Sequence, residues 1–349
     1  PDPGKRLSTG DKDRLYRQRF LAEGVRASSP YRRLKTAMDY WCALWFWPIE
    51  KAGLLPNREE FLLDLALLLE GTSQGVALVG GADQTTLFPD DTPRQEALKL
   101  VDDFGFVDVD KLTREVPRLA TVKELAEKHR FLHWELEFAE VFADRGGFDL
   151  IVGNPPWIKV EWNEGAVMGD FDPLTVIRDV SAPQIAESRV RMLRADPSLM
   201  RSYLDEYAEH AGMKALLGSA VHYTVLAGAS PNLFKAFLPV VWDAMSPLGS
   251  AGLLHPEGVY EHPKGMALRE ATYRRLRFHF QFENELLIFP EVGGTRRFSI
   301  NIYGASLQAV AFRSLSNLYS VKTIDACFSP SRGRWWPQGG AAFGPRDVT

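Results

Sequence analysis

Residues 148–157 read Phe-Asp-Leu-Ile-Val-Gly-Asn-Pro-Pro-Trp, an apolar run followed by a loop with two prolines. The first six residues are a short apolar run closed by glycine, which predicts a buried strand. The next four predict a stiff loop, because Pro155 and Pro156 fix φ and remove two backbone donors, while Asn154 is held extended by the proline after it. Ligands of open α/β sheets bind beyond the carboxyl ends of strands. The loop is therefore the first candidate for a functional site.

The loop offers hydrogen-bond acceptors and a flat aromatic wall. The amide oxygen of Asn154 and the carbonyl of Pro155 can point at one spot, and Trp157 lies directly after them. An exocyclic amine of a nucleobase is a poor nucleophile, and two acceptors can bind its two N–H bonds while an aromatic face stacks on the flipped base. A methyl donor held in line would complete the reaction. For the four residues taken alone, a rigid turn without chemistry is the alternative.

The composition is that of an ordinary globular protein. The 349 residues are 45% apolar and carry a net charge of −4, which disfavours nucleic-acid binding over the whole surface but leaves room for a local basic groove. Cys42 and Cys327 are too few for a disulfide framework and have no zinc-ligand spacing. Apolar runs are too short to span a bilayer and no targeting segment is evident. We therefore expect a cytoplasmic protein, and the start at Pro1 suggests a piece of a longer chain.

Residues 1–130 are predicted to be mostly helical. Within Tyr31–Glu50, Trp41, Leu44 and Trp45 recur at i, i+3 and i+4, which predicts one buried helix face; a surface that stacks bases is the alternative. Further helices are expected at Phe61–Glu70, Arg94–Asp103 and Thr121–Arg130, with a loop at Gly71–Pro93.

Downstream of the loop, polar residues 158–230 are helix-prone, and a helix capped by Ser230 is expected over Pro231–Met245. Ala267–Leu276 predicts a basic helix, whose arginines could contact phosphates or form a solvated face. Strands are expected at Ala251–His255, Arg277–Asn284 and Phe298–Gly304, and a Gly-, Pro- and Arg-rich linker at 313–349.

Residues 148–157 closely resemble the catalytic loop of amino-group DNA methyltransferases, and in particular the large Eco57I-like adenine-specific enzymes of the type IIG class. Such enzymes occur in restriction–modification and in BREX or DISARM-like phage defence. Three more segments are similar in the expected order: 133–138 before the catalytic strand, 232–237 in the helix after the loop, and 288–303 around the final hairpin. The resemblance covers about residues 131–312.

The resemblance implies a role for each matching residue. Asn154 and Pro155 would accept the target amine, with Pro156 and Trp157 completing the catalytic loop, and Trp157 and Phe289 would sandwich the flipped adenine. The methyl donor implied is S-adenosylmethionine. Its contacts would be Asn154, Phe234 and Phe237. Double-stranded DNA is the implied partner, with other restriction or defence subunits possible, and no metal is implied.

The family also implies a fold and a domain order. The expected class is α/β, the second half of a Rossmann-like class I methyltransferase sheet with a large helical N-terminal region. The domains expected are a helical region at 1–130, a catalytic region at 131–312 with a helical insertion at about 158–230, and a linker at 313–349 towards a target-recognition domain. The glycine-rich loop that binds the cofactor is not found; the nearest match is Gly75–Gly81, in a predicted loop. We expect that motif to precede Pro1.

Two other functions stay open at this stage. The chain could be an amino methyltransferase for protein glutamine or ribosomal RNA, although those enzymes are usually more compact. It could also be a non-catalytic DNA-binding component of a defence complex, which the lack of a cofactor loop motivates. Incorporation of labelled methyl groups into DNA, RNA and protein would separate these alternatives from adenine-N6 methylation.

Overall fold

The structure, a computed structural model, describes residues 29–70, 106–178 and 180–328, together with Gly10. The described residues fall into two compact units. The first contains those up to Glu137 and the segment Leu193–Glu209, and the second contains the rest. The predictions for Gly71–Pro93 and Arg94–Asp103 lie outside the described residues. The predicted domain boundaries remain predictions.

The first unit is helical. Up to Glu137 its α-helices are α1 (Pro30–Ala43), α2 (Arg58–Glu70), α3 (Val109–Glu115), α4 (Pro117–His129) and α5 (Trp134–Glu137), with 3-10 turns at Leu44–Phe46 and Ile49–Leu54. Its core holds the buried carboxylate of Asp64. This group accepts hydrogen bonds from Tyr40 Oη at 2.8 Å and from Arg118 Nε at 2.5 Å. The ion pair satisfies a carboxylate that could not otherwise be buried.

The predicted face of α1 is wrong in part. Trp41 is 41% exposed, whereas Tyr40, Ala43, Phe46 and Trp47 are buried. The helix becomes a 3-10 turn at Leu44, which shifts the positions that face the core.

The second unit contains a five-stranded mixed sheet in the order β1-β2-β4-β3-β5. The strands are β1 (Phe148–Gly153), β2 (Met245–Pro256), β3 (Leu276–Glu283), β4 (Arg297–Tyr303) and β5 (Arg313–Leu318). Strand β1 is parallel to β2, β4 is antiparallel to β2 and β3, and β5 is parallel to β3.

The first of the remaining helices precedes β1, the last follows β5, and the others lie in the connections between strands, in part as the polar segment 158–230 predicts. They are α6 (Ala139–Arg145), α7 (Glu164–Phe171), α8 (Leu174–Ile177), α9 (Ala182–Ala195), α10 (Pro197–Leu217), α11 (Leu233–Ala244), α12 (Gly258–Glu261), α13 (Met266–Arg275) and α14 (Lys322–Phe328). None of the helices in the described ranges has both the length and the apolar character required to cross a membrane.

Two local expectations are corrected. The residue before α11 is Asn232 and not Ser230. Residues 313–328 form β5 and α14 where the composition predicts a linker, because apolar residues such as Leu315 and Leu318 pack on the sheet despite the polar surroundings.

The predicted burial of β1 is also wrong. The strand lies at the edge of the sheet, and its Leu150 and Val152 are 67% and 76% exposed. Ile151 points to the other face, where it packs on the main core with α11. Successive side chains of a strand alternate between faces, so one face of β1 is covered and the other is open.

Candidate functional site

The loop 154–157 leaves the carboxyl end of β1, and the residues directly after it are hydrogen-bonded to the start of α11. Leu233 N donates to Ile158 O at 2.9 Å, and Val160 N donates to Pro231 O at 3.2 Å. Because β1 and β2 are parallel, the residues that follow β2 emerge at the same edge of the sheet. The topology therefore gathers the loop, the N-terminus of α11 and the end of β2 at one edge.

Within the loop, the Asn154 amide is exposed but engaged. The indole Nε1 of Trp157 donates a hydrogen bond to Asn154 Oδ1 at 3.0 Å. Pro155 is buried and Pro156 is exposed. The acceptor that the sequence assigns to a target amine is thus present beyond the carboxyl end of β1. It already accepts a hydrogen bond from Trp157 of the same loop.

Phe289 lies beside Trp157, although 132 positions separate them along the chain. Their ring centroids are 5.7 Å apart at 60°, and both rings contact Phe298, at centroid distances of 5.0 Å from Phe289 and 6.0 Å from Trp157. An edge-to-face contact of this kind leaves no room for a base between the rings, since a sandwich needs two contacts of about 3.5 Å each. Binding in the predicted manner therefore requires the two rings to separate.

Asn284, which the sequence reasoning missed, holds Phe289 in place. Its buried amide donates to Phe289 O at 3.0 Å and to Val292 O at 2.7 Å, and it accepts from Phe289 N at 3.0 Å. The signal in the sequence is weak: one asparagine at the end of a strand, before a turn in which Leu287 has a positive φ of 51°. Asn284 thus fixes the aromatic turn to the end of β3.

The two phenylalanines predicted to contact the methyl donor differ in access. Phe234 is 2% exposed and stacks on His255 at a centroid distance of 5.6 Å, whereas Phe237 is 43% exposed. Asn154 and Phe237 therefore fit an accessible contact with a bound cofactor, and Phe234 contributes to the core behind the site. Their contacts with the cofactor remain a prediction.

The open face of the sheet forms a shallow apolar groove that reaches the loop. Its lining comes from β1, β2 and β4 and consists of apolar side chains and backbone, chiefly Leu150, Val152, Gly252, Leu254, Ile300 and Ile302. Gly153, the last residue before Asn154, is part of the same lining. Trp157, Leu254 and Ile300 all pack against the buried aromatic cluster of this face, which contains Phe298. An apolar floor thus continues up to the polar loop.

The covered face carries a buried polar network at the end of β2. His279 Nε2 lies 3.2 Å from Glu257 Oε1, and Gln281 Nε2 donates to Glu257 Oε2 at 3.2 Å. Burial disfavours the Glu257 carboxylate, but the hydrogen bond and charge of His279, with bonds from Ser299 and Gln281, outweigh it and lower the pKa of Glu257. Such a satisfied network fixes the sheet behind the loop.

The arginines of α13 are engaged within the protein. Arg269 donates to the carbonyls of Tyr260 and His262, Arg274 pairs with Glu270, and Arg275 stacks over Trp242. These contacts account for the side chains without a ligand. The arginines of the basic helix therefore stabilise the fold. Neither of the two sequence interpretations, phosphate contacts or a solvated face, is fully favoured.

Comparison with known proteins gives one family match. No curated protein matches the chain. Residues 65–172 match the model of the family described as Eco57I restriction-modification methylase. The matched segment includes β1 and the whole loop of Asn154 and Trp157, which are the residues that carry the resemblance in the sequence. The match confirms that resemblance for residues 65–172, over which the chain is similar to the Eco57I restriction-modification methylases.

Proposed function

We propose that the protein transfers a methyl group from S-adenosylmethionine to the N6 amine of an adenine flipped out of double-stranded DNA, in restriction–modification or phage defence. The observation that carries the proposal is the Asn154 amide, which is exposed beyond β1 and beside the aromatic pair of Trp157 and Phe289. The methylase family match over this segment supports the same class of reaction.

In the proposed reaction, Asn154 Oδ1 accepts one N–H of the adenine amine and the Pro155 carbonyl accepts the other. Two acceptors favour a pyramidal nitrogen, whose lone pair becomes available for attack. The Trp157 N–H must first leave Asn154 Oδ1, because that oxygen already accepts it at 3.0 Å. Trp157 and Phe289 then hold the base by stacking. The proton that the amine loses passes to water, since neither acceptor is basic.

S-adenosylmethionine supplies an electrophilic methyl group when bound. The residues here that would contact it are Asn154 and Phe237, both accessible from solvent. The apolar groove on the open face ends beside Asn154, and it could exclude water from one side of the reaction. Positioning of the amine, and not acid–base chemistry, is then the main contribution of the loop.

The first test is the variant Asn154→Ala, expressed in a host that lacks adenine methylation. We expect N6-methyladenine in host DNA with the wild type and at least a 100-fold decrease with the variant, since an acceptor used in the transition state is lost. The exposed position predicts an unchanged melting temperature. Methylated adenine would be measured by mass spectrometry of digested DNA.

Trp157→Phe is the matched control. It keeps an aromatic face and removes the N–H that competes for Asn154 Oδ1, so methylation should persist. Full activity of Asn154→Ala would remove Asn154 from its role. Methyl groups found only in the RNA or protein fraction would identify that fraction, and not DNA, as the substrate. No methyl transfer by a folded protein would favour a non-catalytic DNA-binding component.

A further inference from the structure

Basic side chains come together where the chain leaves the loop, and we call Lys159, Lys235, His262 and Lys264 the α11 cation cluster. Burial and then the charge of Lys159 lower the pKa of Lys235. Burial and then the charges of Lys235, Lys264 and Lys159 lower the pKa of His262. The four groups therefore share one electrostatic environment, in which each positive charge opposes the next.

Lys235 is the most buried member of the cluster. It is 6% exposed in the first turn of α11, and within the described part of the chain no carboxylate lies within 4.0 Å of its ammonium group. Its ammonium nitrogen lies 6.0 Å from the centroid of the neighbouring Phe234 ring. Lys159 differs, because it is half exposed and pairs with Glu161. A buried ammonium without a counter-charge is costly, so Lys235 is poised for an anion.

Two neighbouring polar side-chain atoms are buried without a hydrogen-bond partner. Of the side-chain atoms that the described residues bury without a hydrogen bond, Asn232 Oδ1 and His262 Nδ1 belong to this region. Asn232 pairs with Lys159 through the backbone and immediately precedes α11. Rotation of its amide would present two N–H donors at the same point. Unpartnered polar atoms and positive charge thus lie near the N-terminus of α11, which itself favours an anion.

We infer that the α11 cation cluster binds a phosphodiester of the DNA backbone next to the target nucleotide, an inference that rests on the proposed function. The loop supports this occupant, since Lys159 is two residues beyond Trp157 and a flipped base stays attached to its flanking phosphates. The net charge of −4 also requires DNA affinity to come from local clusters of this kind. Lys235, Lys159 and His262 would contact the phosphate oxygens.

The test compares Lys235→Met with Lys322→Gln, which removes an exposed lysine on α14. Binding of a fluorescent DNA duplex is measured by anisotropy as a function of salt concentration. For Lys235→Met we expect affinity to fall about 10-fold at low salt. The slope of log affinity against log salt should fall in magnitude by about 0.9, the loss of one phosphate contact. Lys322→Gln should behave as the wild type.

A second readout separates a ligand site from a structural lysine. Removal of an uncompensated buried charge should raise the melting temperature of Lys235→Met by about 2 °C or more. Inorganic tripolyphosphate should stabilise the wild type and leave Lys235→Met unaffected. A lower melting temperature with an unchanged salt slope would overturn the inference.

Two mixed outcomes are also decisive. Stabilisation by tripolyphosphate with no change in the salt slope would contradict a DNA phosphate at this site. If the wild type binds DNA and yet makes no N6-methyladenine, a smaller salt slope in Lys235→Met would support the phosphate site while the proposed reaction fails.

Discussion

At the residue scale, His255 shows how burial sets the charge of a side chain. Its Nδ1 donates to Pro256 O at 2.9 Å, and its Nε2 accepts from Tyr303 Oη at 2.7 Å. Burial, only partly opposed by the bond to Pro256, lowers the pKa of His255 to about 4. The imidazole is thus neutral, and its tautomer is fixed by one acceptor and one donor.

The pH dependence of stability follows from this pKa. In the unfolded chain His255 titrates near 6.5, so below that pH the unfolded state binds more protons than the folded state, and stability falls as pH falls from 6.5 towards 4. The loss from this residue is about 2 kcal/mol by pH 5. The free energy of unfolding, measured in urea at pH 7 and pH 5, should differ by that much less in His255→Gln than in the wild type.

The exposed His222 provides the control for this measurement. His222→Gln should keep the full difference between the two pH values. An equal pH dependence in His255→Gln and the wild type would mean that another group controls the acid sensitivity. Glu257 titrates below this window, because its pKa is lowered.

At the element scale, β1 begins where two glycines allow the backbone to approach the junction of α11 and β2. Gly147 has a φ of 138°, and a Cβ there would lie 2.5 Å from Ala244 O and 2.8 Å from both Met245 C and Ser246 N. Gly146, with a φ of 70°, ends α6, and a Cβ there would meet Pro247 at an ordinary 3.5 Å. The two positions share a strained φ but only Gly147 is crowded.

Gly147→Ala should therefore destabilise the protein more than Gly146→Ala. The expected loss is about 3 kcal/mol or more at Gly147, from φ strain and overlap with backbone, and about 1 kcal/mol at Gly146, from φ strain alone. Urea unfolding monitored by circular dichroism would give both values. Equal losses at the two positions would show that the close approach to β2 can relax.

Several elements could be predicted from the sequence because their signals are local. Apolar spacing indicates α2 and α4, and alternation indicates β3 and β4, each within a few residues of its observed ends. Burial of β1 could not be predicted in the same way. An apolar run is the same in a central strand and in an edge strand, and only the order of the sheet decides which of its faces is covered.

The candidate site was predicted unevenly for a similar reason. Asn154, Pro155, Pro156 and Trp157 form a contiguous motif that is recognisable in the sequence. The neighbour of Trp157, Phe289, comes from a distant segment and was indicated by resemblance alone. Asn284 and Lys235 carry no motif, and their importance depends on burial and on the partners that they have or lack.

At the scale of the whole molecule, the sheet of the second unit has unequal faces. One face packs on α11 and α13 through Leu253, Tyr303 and their neighbours. The other face is filled by aromatic side chains near β3 but is open at β1 and β2. The two faces of a single strand, β1, therefore make different contributions to stability.

Substitution of adjacent residues in β1 tests this difference. Val152→Thr on the open face should change the free energy of unfolding by less than about 0.5 kcal/mol. Ile151→Thr, on the face that packs against the core, should cost about 1 to 2 kcal/mol. Both variants exchange a β-branched side chain for another, so strand propensity is matched. A larger loss for Val152→Thr would mean that the open face is covered in solution.

The hydrogen bond from Trp157 Nε1 to Asn154 Oδ1 has a consequence for selectivity. Under the proposed function, a base that enters the loop competes with the indole N–H already in place, so its binding depends on replacing that donor at Asn154 Oδ1. A base without an exocyclic amine, such as thymine, has no amine N–H to donate to Asn154 Oδ1. The indole then keeps its hydrogen bond to Asn154. Discrimination between bases would then begin with an exchange of hydrogen-bond donors at Asn154 Oδ1, before the methyl group is transferred.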